Sequence, residues 1–224
     1  MLLLAADTSG KNGSIALAQG NPDGSCEVLE VVPLQGGTFS AELIPQLMAL
    51  LKAHHFNKED LEGFAVASGP GSFTGLRVGL AAIKALAEVL HKPIATVSLL
   101  EALAVEGMAQ GNVVAILDAG RNEAYLGRYR VSGSRAVMIE EKLVRQSEMD
   151  IEPGAAIATT DPKIADAFTG RQYRLDYIVR PHRAGVIAGI GWKKILAGET
   201  TSPEALDANY IRRSDAEIFS QNKS

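Results

Sequence analysis

The stretch SGPGSFTGLRVGL, residues 68–80, holds the residue types best suited to gripping an anion. Gly69, Gly71 and Gly75 carry no side chain, so backbone amides can approach a ligand closely. Ser72 and Thr74 offer hydroxyls, and either can cap the helix that follows. Free amides at a helix start also favour phosphate. The spacing matches neither common phosphate motif. A P-loop needs Lys and then Ser or Thr after its last glycine, whereas Leu76 and Arg77 follow Gly75. A dinucleotide fingerprint reads G-x-G-x-x-G, whereas the spacing here is G-x-G-x-x-x-G. The competing reading is close packing. Gly75, Gly79, Ala81, Ala82, Ala85 and Ala87 leave the helix thin, so a second element can come near. Both readings stay open, with Asp7, Gly71, Ser72 and Thr74 as the candidate anion or nucleotide contact.

Asp7 and Asp118 each close a run of buried-strand character and precede a turn containing Gly and Asn. Paired carboxylates in that position suit a metal and phosphate-linked water, provided both turns expose amides to the phosphates. The first turn has Thr8, Ser9 and Gly13, but in the second Arg121 and Glu123 take the space. The alternative is that both acids cap their own turns. His54 and His55 are neighbours and point apart on a helix, while His91 and His182 stand alone, so no metal-binding spacing arises. The lone Cys26 has no His beside it, and no G-x-S-x-G elbow occurs. Nothing here supports nucleophilic catalysis, and we expect no metal.

The elements that must position these residues come in two similar sets. LLLAAD reads as a buried strand, SIALAQ and CEVLEVV as its antiparallel neighbours. Residues 40–54 change to helical spacing, with Leu43, Leu47 and Leu50 in one stripe and Ile44, Met48 and Leu51 in the next. LEGFAVAS is a strand, residues 76–91 a helix, PIATV a strand, and SLLE opens a further helix with a capping-box spacing. The order then restarts: VVAILDAGRNEAYLGRYRV repeats strand, acid, turn, strand, and AVMIEEKLV supplies a third strand. AAIATT reads as a strand, DPKIADAF and GVIAGIGWKKILAG as helices, and the polar tail after Arg213 is expected to fray. The expectation is two related α/β lobes, 1–110 and 111–224, the tail long enough to return to the first lobe.

The 224 residues are 46% hydrophobic, enough for a substantial core, and the net charge is −4. An acidic chain without clustered Lys and Arg is poorly suited to hold nucleic acid alone. The five apolar residues after Met1 are too few for a membrane span. One cysteine and no such span fit a cytoplasmic protein.

ASGPGSFTGLRVGLAAIKALA resembles the signature of the TsaB (YeaZ) family, supported by LAADTS, SLLEALA, ILDAGRNEAYLGRYR and PEALDANYIRR in matching order. The resemblance spans essentially the whole chain. It implies an actin-like ATPase fold of two RNase H-like lobes. It also implies a non-catalytic subunit with no cofactor of its own, with a nucleotide possible near the partner interface. The implied partners are TsaD, which performs threonylcarbamoyl transfer to adenosine 37 of tRNA, and the ATPase TsaE. tRNA is reached only through that complex, and the chain alone can form a homodimer. The implied interface lies on the first-lobe helices, assigned here to Leu43, Leu47, Leu50, Arg77, Gly79, Leu80, Ile83 and Leu86. Two rivals are an autonomous ATPase or metallo-hydrolase of this fold, and a homodimer without TsaD. Phe39 and Ala41 stand where relatives have His and Glu, which puts polar contacts at that helix start in doubt.

Overall fold

The computed structural model describes residues 1–107, 109–169, 173–177, 182–209 and 211. Two five-stranded mixed sheets share one plan. The first comprises β1 (Leu2–Asp7), β2 (Asn12–Gly20), β3 (Cys26–Gln35), β4 (Leu61–Gly69) and β5 (Ile94–Ser98), in the order β3-β2-β1-β4-β5. The second comprises β6 (Gly111–Gly120), β7 (Glu123–Ser132), β8 (Arg135–Arg145), β9 (Ala156–Thr159) and β10 (Arg174–Tyr177), in the order β10-β9-β6-β7-β8. In each, the leading three strands are antiparallel and the last two run parallel. The short β10 has no counterpart among the sequence expectations. Four residues are too few to show a period.

β1 is buried along its whole length because both faces are covered. Leu2, Leu4 and Ala6 point into a core with α1 (Phe39–Ala53) and α2 (Phe73–Leu90). Leu3 and Ala5, one step out of phase, point into a core with α5 (Ala184–Leu196). Gly191 allows that second contact, since a Cβ there would sit 2.3 Å from the Ala65 Cβ. Trp192 anchors the same helix, its Nε1 donating to the Asn21 carbonyl at 2.9 Å. The helix 184–196 thus belongs to the packing of the first sheet, although it follows the strands of the second.

α3 (Leu99–Glu106) places Leu100, Leu103 and Ala104 against Val113, Ala115 and Tyr129 on the inner face of the second sheet. α4 (Pro162–Phe168) covers the outer face with Ile164 and Phe168. The layers therefore run α1 and α2, sheet, α3 and α5, sheet, α4. This is the actin-like fold of two RNase H-like lobes. Two histidines find local roles: His91 is the left-handed C-cap of α2, at φ 54°, and His54 Nε2 lies 2.8 Å from Glu30.

Candidate functional site

The glycine loop is locked onto the first turn of the chain. The Ser72 amide donates to the Ser9 carbonyl at 2.6 Å, and Thr8 Oγ1 donates to the Gly75 carbonyl at 2.8 Å. Ser72 caps α2, its Oγ accepting from the Gly75 amide at 3.3 Å. The fit leaves no room for side chains. A Cβ at Gly75 would fall 2.1 Å from the Thr8 carbonyl oxygen, at Gly71 2.5 Å from that of Ser9, and at Gly79 2.3 Å from Thr8 Oγ1. The thinness of α2 thus serves contact with its own β1–β2 turn. Gly79 is spent inside the lobe and is not available to a partner.

Above this turn, a cleft of about 720 Å³ runs between the lobes, lined by Ser9, Lys11, Gly71, Ser72, Thr74 and Asp118, among others. Asp7 does not line it. The carboxylate is 1% exposed, and its Oδ1 accepts from both the amide and the hydroxyl of Ser9. Asp7 holds the turn from beneath, which removes it from the candidate anion contact. Asp118 does reach the cleft, exposed, with Oδ1 accepting from the Gly120 amide at 3.1 Å and from Gln146 Nε2 at 3.2 Å. The two turns differ in form. Arg121 and Asn122 both have positive φ, 56° and 60°, so β6 and β7 are joined by a tight two-residue hairpin. That hairpin has no counterpart of the longer Thr8–Lys11 loop that docks on Gly71 and Gly75. Among the described residues, no group of three His, Cys, Asp or Glu could hold a metal ion.

The outer face of α1 and α2 is the second feature. Leu43, Leu47 and Leu50 are buried in the first-lobe core, as are Leu80 and Ile83. Leu86 is half-buried against that core. Side chains buried against their own sheet cannot also meet a partner, so the assignment of Leu43, Leu47, Leu50, Leu80 and Ile83 is corrected, whereas Leu86 keeps an exposed part. Leu51, from the alternative stripe, is core too. What remains outside is Ile44, 42% exposed, and Met48, 47% exposed, on α1. On α2 a row at every fourth residue faces out: Phe73, Arg77, Ala81, Ala85 and Val89, with Val89 70% exposed. Of the assigned residues, Arg77 alone lies in this row, its guanidinium 3.7 Å from the Phe73 ring centroid. Phe39, at the position where a His was expected from relatives, turns inward; a Cβ on Gly13 would touch its ring at 2.5 Å. At Phe39 the contact is thus apolar, and the polar contacts at the helix start come from Thr38, whose Oγ1 donates to the Gln35 carbonyl at 3.0 Å, and Glu42, whose Oε2 accepts from the Gln35 amide at 3.4 Å.

A third feature sits on the opposite side of the first sheet. Glu141 on β8 accepts hydrogen bonds from Tyr129 Oη, Ser98 Oγ and, at 2.9 Å, Asn209 Nδ2. The Asn209 amide in turn donates to the Ser68 carbonyl at 2.7 Å, just before the glycine loop. Burial, and then the Glu141 charge, pushes the Tyr129 hydroxyl far above its ordinary range. Nearby, burial raises the Glu101 carboxyl, opposed by Lys194 at 2.6 Å. Sequence reading missed this network, because its members are scattered from residue 98 to 209, and the quoted segments that hold Ser98, Tyr129 and Asn209 carry no pattern that brings them together.

Known proteins can now be compared. Residues 31–188 match the family model described as TsaD, tRNA N6-adenosine threonylcarbamoyltransferase. An uncharacterised protein of Mycobacterium tuberculosis is 31% identical over 188 residues, 84% of this chain and 81% of its own length. The Bacillus subtilis tRNA threonylcarbamoyladenosine biosynthesis protein TsaB is 36% identical over 131 residues, 58% of this chain and 56% of the relative. In architecture, YeaZ from Pseudomonas aeruginosa superposes with a TM-score of 0.78 at 24% identity, covering 93% of this chain and 99% of that one. Matched over residues 31–188, the chain belongs to the family that the TsaD model describes, and it is similar to TsaB of Bacillus subtilis in sequence and to YeaZ of Pseudomonas aeruginosa in fold.

Proposed function

We propose that this chain is an accessory subunit of tRNA threonylcarbamoyladenosine biosynthesis, pairing with a TsaD-type transferase and performing no transfer itself. TsaE joins the same assembly in this reading, tRNA is met only through it, and the setting is the cytoplasm. The observation that carries the proposal is the outward face of α1 and α2. Ile44, Met48, Phe73 and Val89 expose apolar surface there on adjacent helices. An apolar patch with small residues between its anchors, here Ala81 and Ala85, is the surface that a close helix contact buries. The tight Arg121–Asn122 hairpin supports the absence of catalysis, because it supplies no second set of amides for a nucleotide phosphate.

A buried unpaired charge costs several kcal/mol, about 2–5 at an interface. Met48→Asp is therefore expected to abolish pairing with TsaD, measured by size exclusion with light scattering, while the thermal melt stays that of the wild type. Pairing at wild-type affinity in both Met48→Asp and Ile44→Asp would place the partner elsewhere. The cleft lined by Ser9, Ser72 and Thr74 favours a second reading, nucleotide turnover by the chain itself. An ATPase assay on the isolated chain separates the two.

A further inference from the structure

The segment that follows α5 is fastened to the first lobe before it reaches the second. The Thr201 amide donates to the Ile94 carbonyl at 2.8 Å, on β5. Leu206 and Ala208 are buried in the core that holds Leu76 and Leu80 of α2. Ile211 packs instead against the core between α3 and the second sheet, which holds Leu103 and Tyr129. Asn209 lies between these anchorages and touches both lobes. Its amide donates to the Ser68 carbonyl at 2.7 Å, and a Cβ on Gly69 would meet its carbonyl oxygen at 3.1 Å. Its Nδ2 donates across to Glu141 Oε2 on β8 at 2.9 Å. Ser68 and Gly69 close β4 and lead directly into the loop whose Gly71, Ser72 and Thr74 wall the interlobe cleft on one side, with Asp118 and Tyr125 on the other.

We propose that residues 201–211 form a strap between the lobes, that Asn209 is its latch, and that opening the latch widens the cleft lined by Ser72 and Asp118. Any rotation that separates the cleft walls must move Glu141 relative to Ser68, and Asn209 is bonded to both. The two lobe-to-lobe bonds on Glu141 differ in kind. Ser98 ends β5, is half-buried, and is held in place as the cap of α3, its Oγ accepting from the Leu100 amide at 3.2 Å while it donates to Glu141 Oε1. That bond is the pivot. Asn209 is exposed, so water competes for its bond to Oε2, and this is the bond that opens. Two-lobed proteins commonly close by such rotations about a few residues at element ends. Cleft width and latch state are then linked, because a ligand that binds one width better shifts the latch with it. The device belongs to the chain alone and does not depend on the pairing proposed above.

The test is a distance measured across the cleft mouth by double electron–electron resonance on the full chain. Spin labels go on Ser40→Cys, exposed at the start of α1, and on Arg145→Cys, exposed at the end of β8 opposite Glu123, with Cys26→Ser to leave no other thiol. This parent is expected to show one narrow distance, and Asn209→Ala an added longer one. The decisive variants exchange donor and acceptor. Asn209→Asp sets two carboxylates against each other and should populate the longer distance further. Adding Glu141→Gln leaves one oxygen to accept from Ser98 and Tyr129 and puts an amide donor where Oε2 stood, facing the new carboxylate. The double variant should therefore return to the narrow distance, which a loss of general packing would not do. Thermal melts confirm that each variant is folded, and if Asn209→Ala is not, the exchange pair decides alone. The proposal is overturned if Asn209→Asp keeps the parent's distance, or if the double variant is no narrower than Asn209→Asp.

Discussion

At the scale of single residues, glycines decide how close two pieces of chain can come, and the same change has opposite signs at two sites. Gly75 faces the Thr8 carbonyl, where a Cβ would be 2.1 Å away, whereas Gly189 faces open space. Gly75→Ala must displace backbone and is expected to cost about 1–3 kcal/mol, as overpacking does. Gly189→Ala gains helix propensity with no clash and is expected to stabilise by about 0.5–1 kcal/mol. Paired urea titrations on the two variants check both. Equal shifts would show that Gly75 is not held against the turn. Loop residues 68–75 were legible as a special backbone from composition. Their contact was not, because the partner turn at Thr8 and Ser9 lies more than sixty residues away and shares no pattern with the loop.

At the scale of elements, the hydrogen bonds on Glu141 tie β8 to β7, to the start of α3 and to Asn209. They carry a pH dependence through Tyr129. Its folded-state pKa is raised from an ordinary 10.0, so the folded chain keeps a proton that the unfolded chain releases. Stability is therefore fully present below pH 10 and falls above it, by up to about 1.4 kcal/mol per pH unit for this one group. Tyr129→Phe should lower stability at neutral pH, where Glu141 loses a donor, and flatten the decline between pH 10 and 11.5. Denaturant midpoints across that range measure it, and parallel declines for the two proteins would contradict the assignment. α1 shows what periodicity can and cannot reveal. Two apolar stripes were visible in residues 40–54. Only the packing showed that Leu43, Leu47, Leu50 and Leu51 go inward and Ile44 and Met48 outward, because adjacent stripes of equal hydropathy are interchangeable until a sheet takes one.

At the scale of the whole molecule, the net charge is −4 and none of the described helices is long and apolar enough to cross a membrane. Phosphate neutralisation by clustered cations supplies most non-specific affinity for nucleic acid, and this chain lacks such a cluster in sequence. The isolated chain is expected to bind tRNA with a Kd above about 10⁻⁶ M at physiological salt, no tighter than the non-specific range. A gel-shift titration decides it. Sub-micromolar binding by the chain alone would mean that it carries a nucleic-acid surface of its own.

The order of elements apart from the short β10, the restart of the strand order near Gly111 and the resemblance of the loop 68–75 followed from the amino-acid sequence by itself. Strand alternation, helix spacing and turn residues are local properties, set by neighbours within a few positions. The tertiary structure decided which face of each element is used. It put Asp7 beneath the cleft and left Asp118 in it. It turned the glycines of α2 toward Thr8, and it drew Ser98, Tyr129, Glu141 and Asn209 together. These outcomes depend on which surfaces are covered when the two sheets and five α-helices of the described residues compete for the same apolar area, and no local pattern encodes that competition.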